Sequence, residues 1–214
     1  MTIRRTLLAV FLMAGAHLAQ ATTPDELVRP IQDQWAEIKY KQPEKQQADS
    51  YGKLAEQARK VAEAHPGVAE TLVWEGIVIS SEAGAKGGLG ALGLAKQAKL
   101  RLEEALKLND KVLDGSAYTS LATLYAKVPG WPIGFGDKER AEDYFRKSLA
   151  LNPQGIDANF FYGEYLFDRD RYAEARKYLD TALKAPARPG RELADSGRRR
   201  EIQALLARLD KESR

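Results

Sequence analysis

The sequence predicts an all-α protein built from antiparallel helix pairs that stack into a solenoid. Apolar residues recur at helical spacing, as in Val28, Ile31 and Trp35, and no stretch alternates with the two-residue period of a strand. Glycine and proline interrupt the helical pattern, for example at His65-Pro66-Gly67 and Pro129-Gly130. The same order of small and large residues also returns from one helix pair to the next, which is the mark of a repeat protein.

Residues 1–21 have the pattern of a secretory signal. Arg4 and Arg5 precede an apolar core of about 12 residues, and Ala19-Gln20-Ala21 has the small residues of a cleavage site. The core is shorter than the roughly 20 residues needed to span a bilayer. We expect cleavage after Ala21 and a periplasmic or secreted protein with no integral membrane segment. An uncleaved anchor and a cytosolic amphipathic helix are the alternatives.

The charge balance and the lack of cysteine exclude several functions. The chain has 33 basic and 30 acidic residues, a net charge of +3, and two of these charges belong to the predicted signal. Such a nearly neutral chain gives no electrostatic reason to expect nucleic acid binding. With no cysteine, the protein is not a lipoprotein, and it has neither disulfides nor thiolate metal sites.

The repeat order is clearest at the C-terminal end of the array. Gly163 lies 12 residues before Ala175, Leu179 follows four residues later, and Ala182 three after that. Gly163 and Ala175 fall where two helices of a pair would cross, and a larger side chain there would hold them apart. Leu179 would fill the space beside the crossing, and Ala182 would let the next repeat approach. This predicts a helix pair over about 156–186.

Two earlier units repeat this order with extra residues between their helices. Ala122 is followed by Ala141 after 19 residues, an insertion of seven, and Ala141 lies 34 residues before Ala175, the standard period. Gly76 is followed by Ala98 after 22 residues, an insertion of ten. We therefore predict one domain at 24–210, whose parts are a divergent pair at 25–66, repeats at about 69–110, 115–153 and 156–186, and a capping helix at 191–210.

With these small residues in place, the chain resembles the tetratricopeptide repeat (TPR) superfamily over about 45–186. More narrowly, its layout and the style of Leu106-Lys107-Leu108-Asn109 and 149–153 look like the TatT-type periplasmic proteins associated with some TRAP transporters. Many such proteins are lipoproteins, whereas this chain has no cysteine to lipidate. The resemblance implies a protein that holds a partner or ligand.

The first helix of each repeat lines the concave face of such a solenoid. Counting from the small position on that helix predicts a groove that is aromatic at both ends and hydroxylic in the middle. This surface suits an extended peptide or an apolar helix. The alternative is that the aromatic side chains pack between repeats as core. The predicted groove residues are Val73, Trp74, Ile77, Thr119, Ser120, Thr123, Lys127, Phe160, Phe161, Glu164 and Phe167.

The two insertions are a second candidate site because both are apolar and rich in glycine. The first runs from Ser81 to Leu94 and the second from Val128 to Gly136. Large apolar side chains gain about 1.5–3 kcal/mol each when buried, so we expect these segments to fold over the groove mouth or to meet a partner. The alternative is a plug between repeats. The candidate residues are Gly88, Leu89, Gly90, Trp131, Pro132, Ile133 and Phe135.

No residue set in the sequence predicts catalysis, a cofactor or a metal site. His65 is the single histidine after the predicted signal, and it lies in a Pro-Gly turn. The sequence has no HExxH motif, and its glycine-rich run lacks the Lys-Ser/Thr of a phosphate loop. We interpret Arg198-Arg199-Arg200 as a solvated face. The leading hypothesis is an exported scaffold or adaptor that binds a protein or peptide segment. The alternative is a transporter accessory or carrier of a small apolar ligand.

Overall fold

A computed structural model describes residues 22–212, and the predicted signal at 1–21 lies outside them. This part of the chain is helical and contains no strand, so the prediction of an all-α solenoid is confirmed. A left-handed turn at 112–115 precedes the fifth helix. The helices are α1 (Pro24–Lys41), α2 (Glu44–Ala64), α3 (Ala69–Lys86), α4 (Gly88–Leu108), α5 (Ser116–Lys127), α6 (Lys138–Leu151), α7 (Ile156–Phe167), α8 (Tyr172–Leu183) and α9 (Glu192–Glu212).

Local sequence explains where several helices begin and end. Thr23 starts α1 with a capping box, since its hydroxyl accepts from the amide of Glu26 while the Glu26 carboxylate accepts from the Thr23 amide. The Asp137 side chain accepts from the amide of Arg140 and caps α6. Gly115 has φ of 84°, and a Cβ there would lie 3.2 Å from Ser148 Cα, so both conformation and space require glycine before α5.

Two glycines allow the helices of a pair to cross closely, as the repeat pattern predicts. A Cβ on Gly76 of α3 would lie 2.7 Å from Leu102 Cγ and 3.2 Å from the carbonyl oxygen of Ala98 in α4. A Cβ on Gly163 of α7 would lie 2.9 Å from Leu179 Cγ in α8. These close approaches occur at the small and large positions of the repeat, so they identify α3–α4 and α7–α8 as TPR-like pairs.

The first insertion is not a loop. Residues 81–86 extend α3 and residues 88–94 extend α4, with Gly87 between them at φ of 61°. The prediction of a loop at Gly88, Leu89 and Gly90 is therefore wrong, because these residues form the first turn of α4. The segment has no proline to interrupt helical hydrogen bonding, so ten extra residues lengthen the helix pair.

The last helix returns to the first. Ala194 of α9 packs in one apolar cluster with Val28, Ile31 and Trp35 of α1, and Gly197 lies against the ring of Tyr40. Further along, Ile202, Leu205 and Leu209 are buried with the core of the repeats. The helix thus caps α8 and closes the concave side of the solenoid against α1. None of the helices between residues 22 and 212 is long and apolar enough to cross a membrane.

Candidate functional site

The space left between α1, α3, α5, α7 and α9 is a chamber on the concave side. Its deeper part, the inner pocket, has a volume of about 140 Å³. Its outer part, the vestibule, has a volume of about 680 Å³. The two parts share Trp35, Ser80, Ser81, Thr123, Phe161 and Arg198. The inner pocket is lined by Trp35, Tyr40, Trp74, Ile77, Ser80, Ser81, Ser116, Thr119, Ser120, Thr123, Asp157, Phe161, Arg188, Arg191, Ala194 and Arg198.

The vestibule opens beside α2 and the outer half of α9. Its walls combine aromatic rings with charges of both signs. They are Trp35, Lys39, Glu44, Gln47, Tyr51, Ser80, Ser81, Gly84, Ala85, Thr123, Phe160, Phe161, Glu164, Arg198, Glu201, Ala204, Leu205 and Arg208.

A continuous set of ion pairs forms the wall of the chamber made by α7, α9 and the segment between α8 and α9. Asp157 accepts from Arg188 Nη1 at 2.7 Å and from Arg198 Nε at 2.8 Å. Arg188 also pairs with Asp195 at 2.6 Å, and Arg198 pairs with Glu201 at 2.6 Å. We call these five residues the ion-pair wall. Every one of their charges has an opposite charge beside it.

Asp157 is the centre of this wall. Its side chain is 35% exposed, but the exposed part faces the chamber, whose other walls surround it. Burial raises the pKa of the Asp157 carboxyl, while the charges of Arg198 and Arg188 lower it and prevail, so its pKa lies well below the ordinary value. Asp157 therefore stays ionised and holds two guanidinium groups in place.

The opposite wall, formed by α1, α2 and α3, is aromatic. Trp35 meets Trp74 edge to face with ring centroids 6.2 Å apart, and Trp35 Nε1 donates to Ser81 Oγ at 2.8 Å. Trp74 Nε1 and the Tyr51 hydroxyl are buried without a partner among the described residues. Burial raises the pKa of the Tyr51 hydroxyl. We call Trp35, Tyr51 and Trp74 the aromatic wall.

Most of the predicted groove residues do lie together. Nine line the chamber or the small cavity beside its α5–α7 side, namely Trp74, Ile77, Thr119, Ser120, Thr123, Lys127, Phe160, Phe161 and Glu164. Two do not. Val73 is buried in the core of the repeats, and Phe167 lies beneath the guanidinium of Arg208. Binding by these residues stays a prediction.

The predicted groove differs from an open channel because α9 covers it. The guanidinium of Arg198 lies 4.5 Å from the ring centroids of both Phe160 and Phe161. Its side chain is only 5% exposed, so the interpretation of residues 198–200 as a solvated face is wrong for Arg198. Ala194, Gly197 and Glu201 share this face of the helix. The small pair Ala194 and Gly197 was the available indication that another helix approaches there.

The second insertion lies away from the chamber. Phe135 packs edge to face on Tyr125 with centroids 5.4 Å apart, and Gly134 approaches Leu92 of α4. Trp131 is 90% exposed and Ile133 is 64% exposed. Of the two expectations for Trp131, Pro132 and Ile133, coverage of the groove mouth is wrong, since no residue from 128 to 136 lines the chamber. Contact with a partner stays a prediction. Phe135 is the part of this segment that acts as a plug.

Lys127 lies near the edge of the concave face, where it pairs with Glu164 at 3.3 Å and with Asp168 at 2.7 Å. Burial lowers the pKa of Lys127, but the two carboxylates raise it further than burial lowers it. The pair between Lys127 and Glu164 joins α5 to α7. Across residues 22–212, no three His, Asp or Glu side chains converge as metal ligands would.

The geometry defines the class of protein: a TPR-like helical solenoid whose last helix closes the concave face. No protein-family model and no curated protein matches the sequence. A solved structure from the functional characterization of Pseudomonas aeruginosa pilF is similar over 84% of this chain and 92% of that chain, with 19% identity and a TM-score of 0.35. A likeness at this level does not indicate what the chain binds. The comparisons give the narrower resemblance to TatT-type proteins no support.

Proposed function

We propose that this protein is a non-catalytic interaction module that takes a short segment of a protein partner into the vestibule. The observation that carries the proposal is the open volume of about 680 Å³ between α1, α2 and α9. The half-buried Phe161 offers it aromatic contact area, and Lys39, Glu164 and Arg208 offer charges that could fix the register of a peptide. Helix-pair solenoids present concave surfaces for such binding.

The cover formed by α9 limits the size of the partner segment. A helix has a diameter of about 10 Å, so it would fill the vestibule within little more than one turn. A few residues of extended chain fit this volume better. The proposal is therefore a short extended segment or a chain end, which narrows the extended peptide or apolar helix that the sequence alone predicts.

We also propose that the protein acts outside the cytoplasm. The support is the basic pair Arg4 and Arg5, the apolar stretch after it, and the small residues at 19–21. Cell fractionation and mass spectrometry of the purified protein test this. We expect a mature chain that starts at Thr22, whereas a full-length chain in the cytoplasm would contradict the proposal.

A matched pair of substitutions on α9 tests the vestibule. Ala204 lines it and Ala207, one turn further along, is exposed and does not. Ala204→Trp fills the space without removing a native contact, and Ala207→Trp makes the same change outside. Partners are captured by crosslinking, identified by mass spectrometry, and remade as synthetic peptides for calorimetry.

We expect Ala204→Trp to weaken peptide binding at least about tenfold, the effect of losing a main contact region. We expect Ala207→Trp to bind as the wild type does. Equal binding by all three proteins would show that the partner uses another surface, and the proposal would fail.

The inner pocket favours a second candidate function, the holding of a small ligand. Its volume of about 140 Å³ is similar to an engineered protein cavity of about 150 Å³ that accepts benzene. Aromatic side chains and hydroxyl groups line it together, as is usual for small-molecule sites. Native mass spectrometry of the purified protein tests this candidate by looking for a retained mass.

A further inference from the structure

Arg191 differs from the other arginines of the inner pocket because it has no acidic partner. Its side chain makes no ion pair and no hydrogen bond with any residue between 22 and 212. Its one specific contact is the ring of Trp74, whose centroid lies 5.1 Å from the guanidinium carbon. Five donor N–H groups of this guanidinium are therefore available beside the chamber.

Among the three arginines that line the inner pocket, Arg191 is the one without an ion pair to a described residue. Arg188 and Arg198 are matched by Asp157, Asp195 and Glu201, and Lys39 pairs with Glu201 from the other side. Burial lowers the pKa of Arg191, and the neighbouring charge of Arg188 lowers it further. The surroundings of Arg191 thus disfavour its charged form, and a bound anion would offset the free-energy cost of keeping that charge.

Two further donors face the same space without a partner. Ser80 of α3 and Ser120 of α5 line the inner pocket and have no hydrogen bond within the described chain. Trp35, Trp74 and Phe161 supply apolar surface around them. The pocket therefore joins a single unmatched cation, free hydroxyl groups and aromatic walls in a volume close to that of one benzene-sized body.

We infer that the inner pocket binds a small organic carboxylate, with Arg191 holding the carboxylate group and the aromatic side chains contacting its apolar body. The one unpaired guanidinium in the pocket lining fits a single carboxylate, which can accept two of its N–H donors side by side. This inference rests on the second candidate function, the holding of a small ligand, and names the class of that ligand.

Calorimetry with three probes tests the inference on the mature protein. Benzoate has both the charge and the apolar body, benzyl alcohol has the body without the charge, and acetate has the charge with almost no body. We expect benzoate to bind at least about tenfold more tightly than either of the other probes. Benzyl alcohol lacks the charge-assisted hydrogen bond, and acetate lacks the apolar contact.

Substitution of Arg191 assigns the charge selectivity to one residue. Arg191→Gln should weaken the binding of benzoate at least about tenfold and change the binding of benzyl alcohol less than about twofold. Arg191→Lys keeps a cation and should weaken benzoate by less than Arg191→Gln. Arg200→Gln removes one positive charge from an exposed position of α9 and serves as the matched control, with benzoate binding unchanged.

The outcomes separate the anion from the pocket. The assignment to a carboxylate is overturned if the wild type binds benzoate and benzyl alcohol with equal affinity. It is also overturned if Arg191→Gln leaves the affinity for benzoate unchanged. In both cases the small-ligand pocket stands. If neither probe binds, both the carboxylate and the small-ligand function are overturned. The binding of a protein segment in the vestibule is untouched by these results, because Ala204→Trp tests it separately. The apo Arg191→Gln protein should unfold close to the wild-type temperature, since Arg191 has no acidic partner to lose and its one specific contact is the Trp74 ring.

Discussion

The two walls of the chamber use their polar groups in opposite ways. In the ion-pair wall, each of the five charged side chains has an opposite charge at hydrogen-bond distance. In the aromatic wall, the Trp74 indole and the Tyr51 hydroxyl are buried with no partner within residues 22–212. A buried unpaired donor costs about 1–3 kcal/mol, so the two walls contribute very differently to stability.

The difference indicates a division of tasks. The ion-pair wall is complete within the chain, and it fixes the segment before α9 against α7. Arg191 leaves hydrogen-bonding capacity unused beside the chamber, which is the property expected of a surface that meets something else, whereas the unpaired donors of the aromatic wall are buried. Four substitutions or conditions can break or sharpen this contrast.

The largest effect is expected from Asp157→Asn. The change removes the charge that holds Arg188 and Arg198 and should lower the free energy of unfolding by about 3 kcal/mol. Urea unfolding followed by circular dichroism at pH 7 measures this. Asp143→Asn, on an exposed face of α6, is the control and should change stability by less than about 0.5 kcal/mol. If Asp157→Asn has the same free energy of unfolding as the wild type, the ion-pair wall contributes no stability.

The second-largest effect is expected from acid, which should remove the stability that Asp157 contributes through the ion-pair wall. The pKa of Asp157 is lower in the folded protein than in the unfolded chain. Its contribution is therefore complete above the unfolded value of about 3.9 and is lost as the pH falls through that value toward the folded pKa. Unfolding free energies measured from pH 7 down to pH 3 should fall more steeply for the wild type than for Asp157→Asn. Parallel curves would contradict the role of Asp157.

A smaller effect should separate the two tryptophans of the aromatic wall. Trp35→Phe loses the hydrogen bond to Ser81, whereas Trp74→Phe loses an indole N–H that has no partner. The two substitutions remove the same volume, and phenylalanine at position 74 keeps a ring beneath the Arg191 guanidinium. The difference between them therefore mainly reports the hydrogen bond of Trp35. We expect Trp35→Phe to cost about 1 kcal/mol more than Trp74→Phe. Thermal and urea unfolding of both variants decide the point, and the reverse order would mean that Trp74 Nε1 is satisfied in solution.

The smallest effect is expected at Tyr51. Tyr51→Phe removes a buried hydroxyl without a partner, so stability should stay equal or rise by up to about 1 kcal/mol. Tyr40→Phe is the comparison, because the Tyr40 hydroxyl donates to Glu201 at 3.1 Å and its removal should cost about 1 kcal/mol. A loss at Tyr51 as large as that at Tyr40 would remove the contrast between the walls.

The sequence predicts the repeats well because their requirement is local. Gly76 and Gly163 occupy places where a Cβ would collide with a leucine of the partner helix, and that partner lies in the same repeat at a regular spacing. The predicted concave residues follow from the same period, and nine of eleven line the chamber or the cavity beside it. The prediction is wrong for Val73 and Phe167, because counting positions along one helix does not show which other helices pack on it.

The two insertions show why composition alone misleads. Both are apolar and glycine-rich, yet residues 81–94 continue two helices while residues 128–136 form an exposed loop. The difference is proline, since Pro129 and Pro132 remove amide donors and fix the backbone, whereas isolated glycines only weaken a helix that packing supports. The two prolines carry this information, whereas a count of apolar residues does not.

The ion-pair wall could not be derived from the sequence. Asp157 and Arg198 are 41 positions apart, and no repeat relates them. Ordinary charge patterning treats an arginine run on a terminal helix as surface. The placement of α9 depends on long-range packing against α1, which leaves only a faint local trace in the small residues Ala194 and Gly197.

The return of α9 to α1 changes how the whole chain should melt. An open solenoid frays from its ends, because each repeat is supported only by its neighbours along the array. Here Tyr40 bonds to Glu201 across 161 positions of sequence, so neither end is a free end. Loss of the last helix would release the first, and the array should behave as a single cooperative ring. Such a ring would transmit any occupancy of its centre to both ends of the helical array between residues 22 and 212.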